Sequence, residues 1–258
     1  ADSHLAPYPI HLKVETGMGR LGFSHEELLS LLDNPLLRSP LQVEGVMTHL
    51  ADADGEDSAF TERQLGAFRA VLEQIRRRGL TLPLVHAANS AAIVRYPGAH
   101  FSLVRPGIML YGYHTLPASV PAPDLIPVLS LRTTIAQLRT IPRGGTVSYN
   151  RTFVAKRPTR IAVLPIGYAD GYSRRLSNNG FVLIRSQRAS IVGLVCMDMT
   201  MVDVTDIGPI QVGDDVTLIG EQGQEAIWAD EIAEWTGTIP YEILCAIGPR
   251  IPRVYHDA

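Results

Sequence analysis

Residues 141–172, IPRGGTVSYNRTFVAKRPTRIAVLPIGYADGY, separate two kinds of sequence. Within them, TVSYN around Tyr149 and IGYADGY around Tyr168 each set a tyrosine at or near the end of an apolar run bounded by Gly, Asn or Asp. That is the pattern of a strand giving way to a turn, where a phenol projects into a cleft. A phenol has a pKa of about 10. It exchanges a proton near neutrality only if neighbours lower that value or if the acid it meets is itself activated.

Upstream of this stretch, strands alternate with helices. Ile10 to Val14 reads as a strand running into TGMGRLG, Thr16 to Gly22. Ser24 with Glu27 three residues later is a capping-box signature, and Leu28, Leu29, Leu31 and Leu32 then give a short helix ending near Pro35. Val43 to Leu50 is a second strand, closed by Thr48 and His49 before an acidic loop with Asp52, Asp54, Glu56 and Asp57. Leu65, Phe68, Leu72 and Ile75 recur at spacings of three and four, so an amphipathic helix is expected from Ser58 to Arg78, stopped at Gly79. Leu82 to Ala87 and Phe101 to Val104 read as two further strands, followed by Asn89–Ser90 and RPGIMLYG. Alternation of this kind implies a parallel sheet with right-handed crossovers and ligand residues after the strands. A closed (β/α)8 barrel needs about eight such units, and four are read here.

Residues 115–127 hold four prolines and no periodic pattern, which places a domain boundary there: 1–118 a partial barrel, 119–127 a linker, 128–258 a β-domain. Beyond it short strands follow at close intervals: Leu129 to Leu138, Arg160 to Ile166, Phe181 to Arg185, Ser190 to Val195, Thr200 to Val204 and Val216 to Ile219. A helix near Trp228 to Trp235 and an extended tail from Tyr241 to Tyr255 complete it. The fold class is α/β plus all-β.

Composition narrows the functional classes. With 46% hydrophobic and 19% charged residues and a net charge of −3, nothing favours nucleic acid or an anionic membrane as partner. Cys196 and Cys245 form no CxxC pair, and no apolar run approaches the roughly 18 residues of a membrane span, so a cytoplasmic protein is expected. Metal binding has no supporting motif, and GxSxG is absent.

The candidate residues each carry two readings. TGMGRLG is either a tight turn or a ligand loop in which Arg20 grips a carboxylate or phosphate. Asn89 with Ser90, and Gly107 with Ile108, are ordinary turns or a phosphate cradle built from N–H groups and a hydroxyl. Arg105 at a strand end must be paired if buried, and His49 is its candidate neighbour.

Taken in order, TGMGRLG, THLADAD, HAANSAA, RPGIMLYG, TVSYN, IGYADGYSRR, GLVCMD and YEILCAIGPRIPRVY resemble the successive signatures of the pyridoxal-phosphate-dependent alanine racemases, from about Ile10 to Tyr255. The resemblance implies a barrel followed by a β-domain, a homodimer with shared active sites, pyridoxal 5'-phosphate as cofactor, and interconversion of L- and D-alanine. It makes Tyr149 the acid/base on one face of the substrate α-carbon. Arg105 would face the pyridine nitrogen, oriented by His49. Asn89, Ser90, Gly107 and Ile108 would hold the phosphate, and Arg20 with the Met197 backbone the substrate carboxylate. Tyr168, Asp54, Arg174 and Asp198 would line the entrance, and Lys13 matches a lysine carbamylated in some members.

Two departures accompany the match. Pro249 stands where some members carry a tyrosine near the phosphate. The family's Schiff-base lysine belongs to a KANAYGHG-like phrase that these residues do not contain, and Lys13 and Lys156 are the two lysines present. The chain is therefore expected to correspond to the C-terminal two-thirds of an alanine racemase, holding the C-terminal half of the barrel and needing an N-terminal barrel segment on another chain. The alternatives are a racemase of serine, lysine or arginine, a barrel-fold decarboxylase, and a non-catalytic binding or structural subunit.

Overall fold

The computed structural model describes residues 8–34 and 41–256; the helix end expected near Pro35 lies outside them. The chain divides into two compact units, Ala1–Ile126 and Pro127–Ala258.

The first unit alternates β1 (Tyr8–Lys13), α1 (His25–Leu32), β2 (Leu41–Met47), α2 (Ala59–Arg77), β3 (Leu84–His86) and α3 (Ser90–Arg95). The strands form a parallel sheet in the order β1-β2-β3. Lys13 pairs with Met47 and Met47 with His86, so all three strands end level and the segments after them emerge side by side. Ser24 caps α1 with the expected box: its hydroxyl accepts from the Glu27 N–H, and Glu27 accepts from the Ser24 N–H. The buried stripe of α2 is Thr61, Gln64, Leu65, Phe68, Val71 and Ile75, and Phe68 is wholly inaccessible. A fully buried Leu or Phe contributes about 1.5–3 kcal/mol, so this stripe, packed with Leu12, Val14, Leu28 and Val46, fixes α2 to the sheet.

Phe101 to Val104, expected as a fourth strand, is instead turn and coil, so the described residues hold three parallel strands where four were expected. Phe101 adopts φ 47, which no extended strand accommodates, and its ring meets Phe68 edge-on at 5.4 Å. Ser102 imitates a strand partner: its N–H donates to the Val85 carbonyl, while its Oγ accepts from the Val85 N–H at 2.7 Å.

The second unit comprises β4 (Leu131–Thr134), β5 (Gln137–Ile141), β6 (Thr146–Val147), β7 (Phe153–Val154), β8 (Thr159–Leu164), β9 (Phe181–Ile184), β10 (Gln187–Ser190), β11 (Thr200–Asp203), β12 (Asp215–Gln222), β13 (Glu225–Ile227), α4 (Ala229–Thr236) and α5 (Pro240–Ala246). Its pairings are antiparallel: β10-β9-β12-β13 with β4 also on β12, β11-β8-β5, and the ribbon β6-β7. The run Leu129 to Leu138, expected as one strand, is two. At buried Ile135 the chain leaves β12 for β8: Ile135 N–H donates to Asp214 O, and the next N–H, of Ala136, to Val163 O. Ser190 to Val195 was expected as a strand, but β10 ends at Ser190 and Gly193 turns at φ 77. The tail expected to be extended from Tyr241 begins as α5, with Pro240 in the first helical turn where its missing N–H is not needed.

Candidate functional site

The level ends of β1, β2 and β3 make a shelf from which the polar residues of the first unit rise. Thr48 is buried just beyond β2, and its Oγ1 donates to the Val14 carbonyl at 3.0 Å. That hydroxyl proton is thereby used, so in the 2.6 Å contact between the two hydroxyls Thr16 donates to Thr48. Gln64, buried on α2, binds three segments together: its Nε2 donates to Thr16 Oγ1 and to His49 O, and its Oε1 accepts from the Ala51 N–H at 2.9 Å.

Arg105 reaches into this shelf, half-buried, its N–H on Ala88 O. Nη1 lies 2.6 Å from His86 Nδ1, and Nη2 donates to Thr48 O at 2.9 Å and Ala87 O at 3.1 Å, with His49 Nδ1 at 3.2 Å. A guanidinium only donates, so both Nδ1 atoms are unprotonated acceptors. The proton of His86 then sits on Nε2, 2.6 Å from His11 Nδ1, giving a directed chain Arg105 to His86 to His11. Burial first, and then the charges of Arg105 and His11, lower the pKa of His86 to about 4. Burial, then Arg105, Arg20 and Lys13, lower that of His49. Both rings are neutral at neutral pH. Burial also pulls Arg105 below the usual arginine value, yet its charge persists because a guanidinium holds its proton far more tightly than the imidazoles it meets.

Beside this cluster Asn89 caps α3, accepting from the Ala92 N–H at 3.0 Å. Ser90, buried at the start of α3, accepts through Oγ from the N–H of Gly107 at 2.8 Å and of Met109 at 3.4 Å. Its own proton is left to donate. A Cβ on Gly107 would lie 3.8 Å from Ser90 Oγ and meet nothing else within 4 Å, so the glycine keeps open a space bordered by that hydroxyl. Ile108 begins a short 3-10 turn, Ile108–Tyr111, whose first N–H groups are donors without intrahelical partners.

The TGMGRLG loop folds around Glu15. Burial opposes ionisation of that carboxyl, but the N–H groups of Gly19, Gly17, Met18 and Arg20 outweigh it and hold the pKa below the usual range. Gly17, Gly19 and Gly22 take φ 131, 66 and 126, conformations that suit glycine. Arg20 is exposed at the end of this loop, and its charge reaches His49, as does that of Lys13 at the end of β1. Asp54 is also exposed and accepts from Thr115 Oγ1 at 2.5 Å.

In the second unit TVSYN, IGYADGY and GLVCMD converge. Tyr149 is 71% exposed and lies between residues in left-handed backbone: Ser148 at φ 66, Asn150 at 59 and Arg151 at 53. Ser148 Oγ donates to Leu194 O at 2.7 Å and approaches Cys196 Sγ to 3.6 Å. Tyr168 starts a 3-10 turn, Tyr168–Asp170, seated on the next residues of that wall: its N–H donates to Cys196 O and that of Ala169 to Met197 O, both at 3.0 Å. A Cβ on Gly167 would collide with those two carbonyls, so the close approach demands glycine. Asp170, buried, accepts from the Gly167 N–H at 3.0 Å. Arg250 ties it to Asp198, at 3.3 Å and 2.8 Å. Arg174 opens a neighbouring 3-10 turn, Arg174–Leu176, exposed to solvent.

Sequence reasoning passed over His86, Gln64, Asp170 and Arg250. Gln64 carried a signal, a polar residue on the apolar face of α2 one position before Leu65.

A half-buried arginine met by neutral imidazoles beside a hydroxyl and a glycine-bordered space, in an α/β unit followed by a β unit, is an arrangement suited to an anionic ligand. Comparison with known proteins gives the family. Residues 1–115 match the model described as "Alanine racemase, N-terminal domain", and residues 128–255 that of "Alanine racemase, C-terminal domain". The alanine racemase of Carboxydothermus hydrogenoformans is 48% identical over 246 residues, covering 95% of this chain and 67% of the relative. That of Halothermothrix orenii is 46% identical, with 96% and 65% covered. The solved alanine racemase from Bacillus anthracis, with bound L-Ala-P, superposes with a TM-score of 0.91 at 37% identity, covering 99% of this chain and 66% of that one. That of Bartonella henselae, with covalently bound pyridoxal phosphate, gives 0.84 at 36% identity, with 96% and 66% covered. This chain belongs to the alanine racemase family. It spans about two thirds of the length of the curated relatives it matches.

Proposed function

We propose that the chain serves the interconversion of L- and D-alanine with pyridoxal 5'-phosphate. The observation that carries this reading is Arg105, charged and desolvated between two neutral histidines, beside the open space kept by Ser90 and Gly107. Bound there, the cofactor supplies an electron sink that acidifies the substrate α-carbon. Asn89, Ser90, Gly107 and Ile108 would hold its phosphate, and Arg105 would face its pyridine nitrogen. A guanidinium that keeps its proton leaves that nitrogen unprotonated, which moderates the sink. Neutral His49 and His86 hold the guanidinium without competing for its charge.

Tyr149 moves the proton on one face of the α-carbon. Arg20 and the backbone of Met197 bind the substrate carboxylate, while Asp54, Tyr168, Arg174 and Asp198 flank the entrance. Carbamylation of Lys13 would replace its positive charge with a negative one, suited to steadying Arg20. The protein acts as a homodimer. The opposite face needs a lysine. Lys156 is exposed in the bend after β7, and Lys13 has the role just given. The proposal therefore places that lysine in the third of the relatives' length that these residues do not match.

The test is racemisation of L-alanine with added pyridoxal phosphate, by protein that carries the lysine-bearing segment together with these residues, followed by circular dichroism. Tyr149→Phe lowers kcat by about 10²–10⁴ while the cofactor still binds. Undiminished racemisation by Tyr149→Phe overturns the role of Tyr149. Borohydride reduction that fixes the cofactor to Lys13 or Lys156 overturns the placement of the lysine.

A further inference from the structure

Tyr149 hangs on backbone alone. The residue is 71% exposed and its phenol makes no hydrogen bond among the described residues, so where the phenol goes is decided by the residues on either side. Those residues are in an improbable conformation. Ser148, Asn150 and Arg151 all have φ between 53 and 66, which disfavours an L-residue by roughly tenfold each, less for Asn. Such a run persists only where surrounding contacts over-determine it.

The contacts come from two segments. Residues 193–195 form the first. Ser148 Oγ donates to Leu194 O at 2.7 Å, and Gly193 comes so close that a Cβ on it would lie 2.6 Å from Ser148 Cβ. This fixes the run at its beginning. The second segment is 177–178. Ser177 Oγ accepts from the Val195 N–H at 3.0 Å, holding 177–178 against the same wall. Asn178 then bridges: its Oδ1 accepts from the Gly193 N–H at 2.6 Å, and its Nδ2 donates to Thr152 Oγ1 at 3.1 Å. Thr152 is the residue at which the left-handed run returns to ordinary right-handed backbone, φ −72. Asn178 itself sits at φ 54, a conformation asparagine tolerates better than most residues.

We propose that Asn178 is a positioning residue for Tyr149, its carboxamide joining the Gly193 wall to Thr152 and so fixing the far end of the left-handed run that carries the phenol. The role as a positioning residue in catalysis rests on the racemase reading; the coupling of Asn178 to the Tyr149 backbone does not.

The experiment uses the whole chain labelled with ¹³Cζ-tyrosine, the Tyr149 resonance being assigned from Tyr149→Phe, together with amide hydrogen exchange. Asn178→Ala removes both bonds. Asn178→Asp keeps the acceptor for Gly193 and loses the donor to Thr152. In Asn178→Ala, exchange of amides 148–153 rises about tenfold, the size expected for one or two lost hydrogen bonds, and the Tyr149 line broadens or splits. Exchange in β9 and β12 of the same unit stays as in the wild type. Asn178→Asp restores part of both effects, and it supplies the readout if the alanine variant does not fold. The proposal is overturned if amides 148–153 and the Tyr149 line are unchanged, or if β9 and β12 loosen equally. Neither measurement requires turnover. Failure of the wild type to racemise alanine when the lysine-bearing segment is present would end the racemase reading and leave these results to judge Asn178 by themselves.

Discussion

Arg105 donates from two nitrogens to two imidazoles, and the direction of those bonds sets the proton positions around it. His86 has to be neutral in the folded protein, with its pKa at about 4 against an ordinary value near 6.5. The sign follows from proton counts. Between those two values the unfolded chain binds a proton that the folded chain does not, so stability falls as pH drops from about 6.5 to about 4 and levels off below. Above 6.5 this histidine adds no pH dependence. Urea midpoints measured from pH 3 to 8 are expected to show that slope, and His86→Asn, which keeps an acceptor for Arg105, to flatten it. Arg105 and His49 were legible as residues that chemistry requires to be paired. His86 was not, because nothing in LVHAANS says that its ring faces an arginine nineteen positions on. That fact belongs to the register Met47 with His86, which only the folded sheet supplies.

Helix α2 shows how far periodicity carries an element. Spacings of three and four placed it from Ser58 to Arg78, within a residue of Ala59–Arg77 at either end. The same periodicity sets Gln64 on the apolar face but does not tell what its amide joins, residues 16, 49 and 51. Gln64→Leu fits the stripe by shape but leaves the Ala51 N–H and the His49 carbonyl without this partner. The expected cost is about 1–3 kcal/mol, read as a lower urea midpoint with unchanged slope. Short elements were read less well. Helix α5 has seven residues, too few for a 3.6 period to stand out, and the strand expected at Phe101 to Val104 fails on one left-handed residue. The tyrosine turns were read correctly as turns, since Gly, Asn and Asp mark them directly. What they rest against, Leu194, Cys196 and Met197, is set by long-range packing.

At the scale of the molecule, each compact unit has apolar residues sealed from solvent, Phe68 in the first and Leu183 in the second. Calorimetry should reflect this. Phe68→Ala costs about 3–5 kcal/mol and Leu183→Ala about 2–5 kcal/mol, and each variant is expected to lower the melting of its own unit. If both variants displace one common transition equally, the units unfold as one. Family membership was legible because eight phrases keep their order over almost the whole chain, whereas the barrel was only partly so: four units were read and the described residues hold three parallel strands.

The left-handed run beside Tyr149 has a consequence for any selection applied to the protein. Arg151 at φ 53 is a place where glycine relieves strain, and Arg151→Gly is expected to raise stability by about 0.5–1 kcal/mol in thermal unfolding. The glycine would also let the segment explore conformations that arginine forbids. A screen for heat resistance alone would therefore enrich a change that slackens the tether of the phenol, and heat-hardened descendants would turn over more slowly at ordinary temperature.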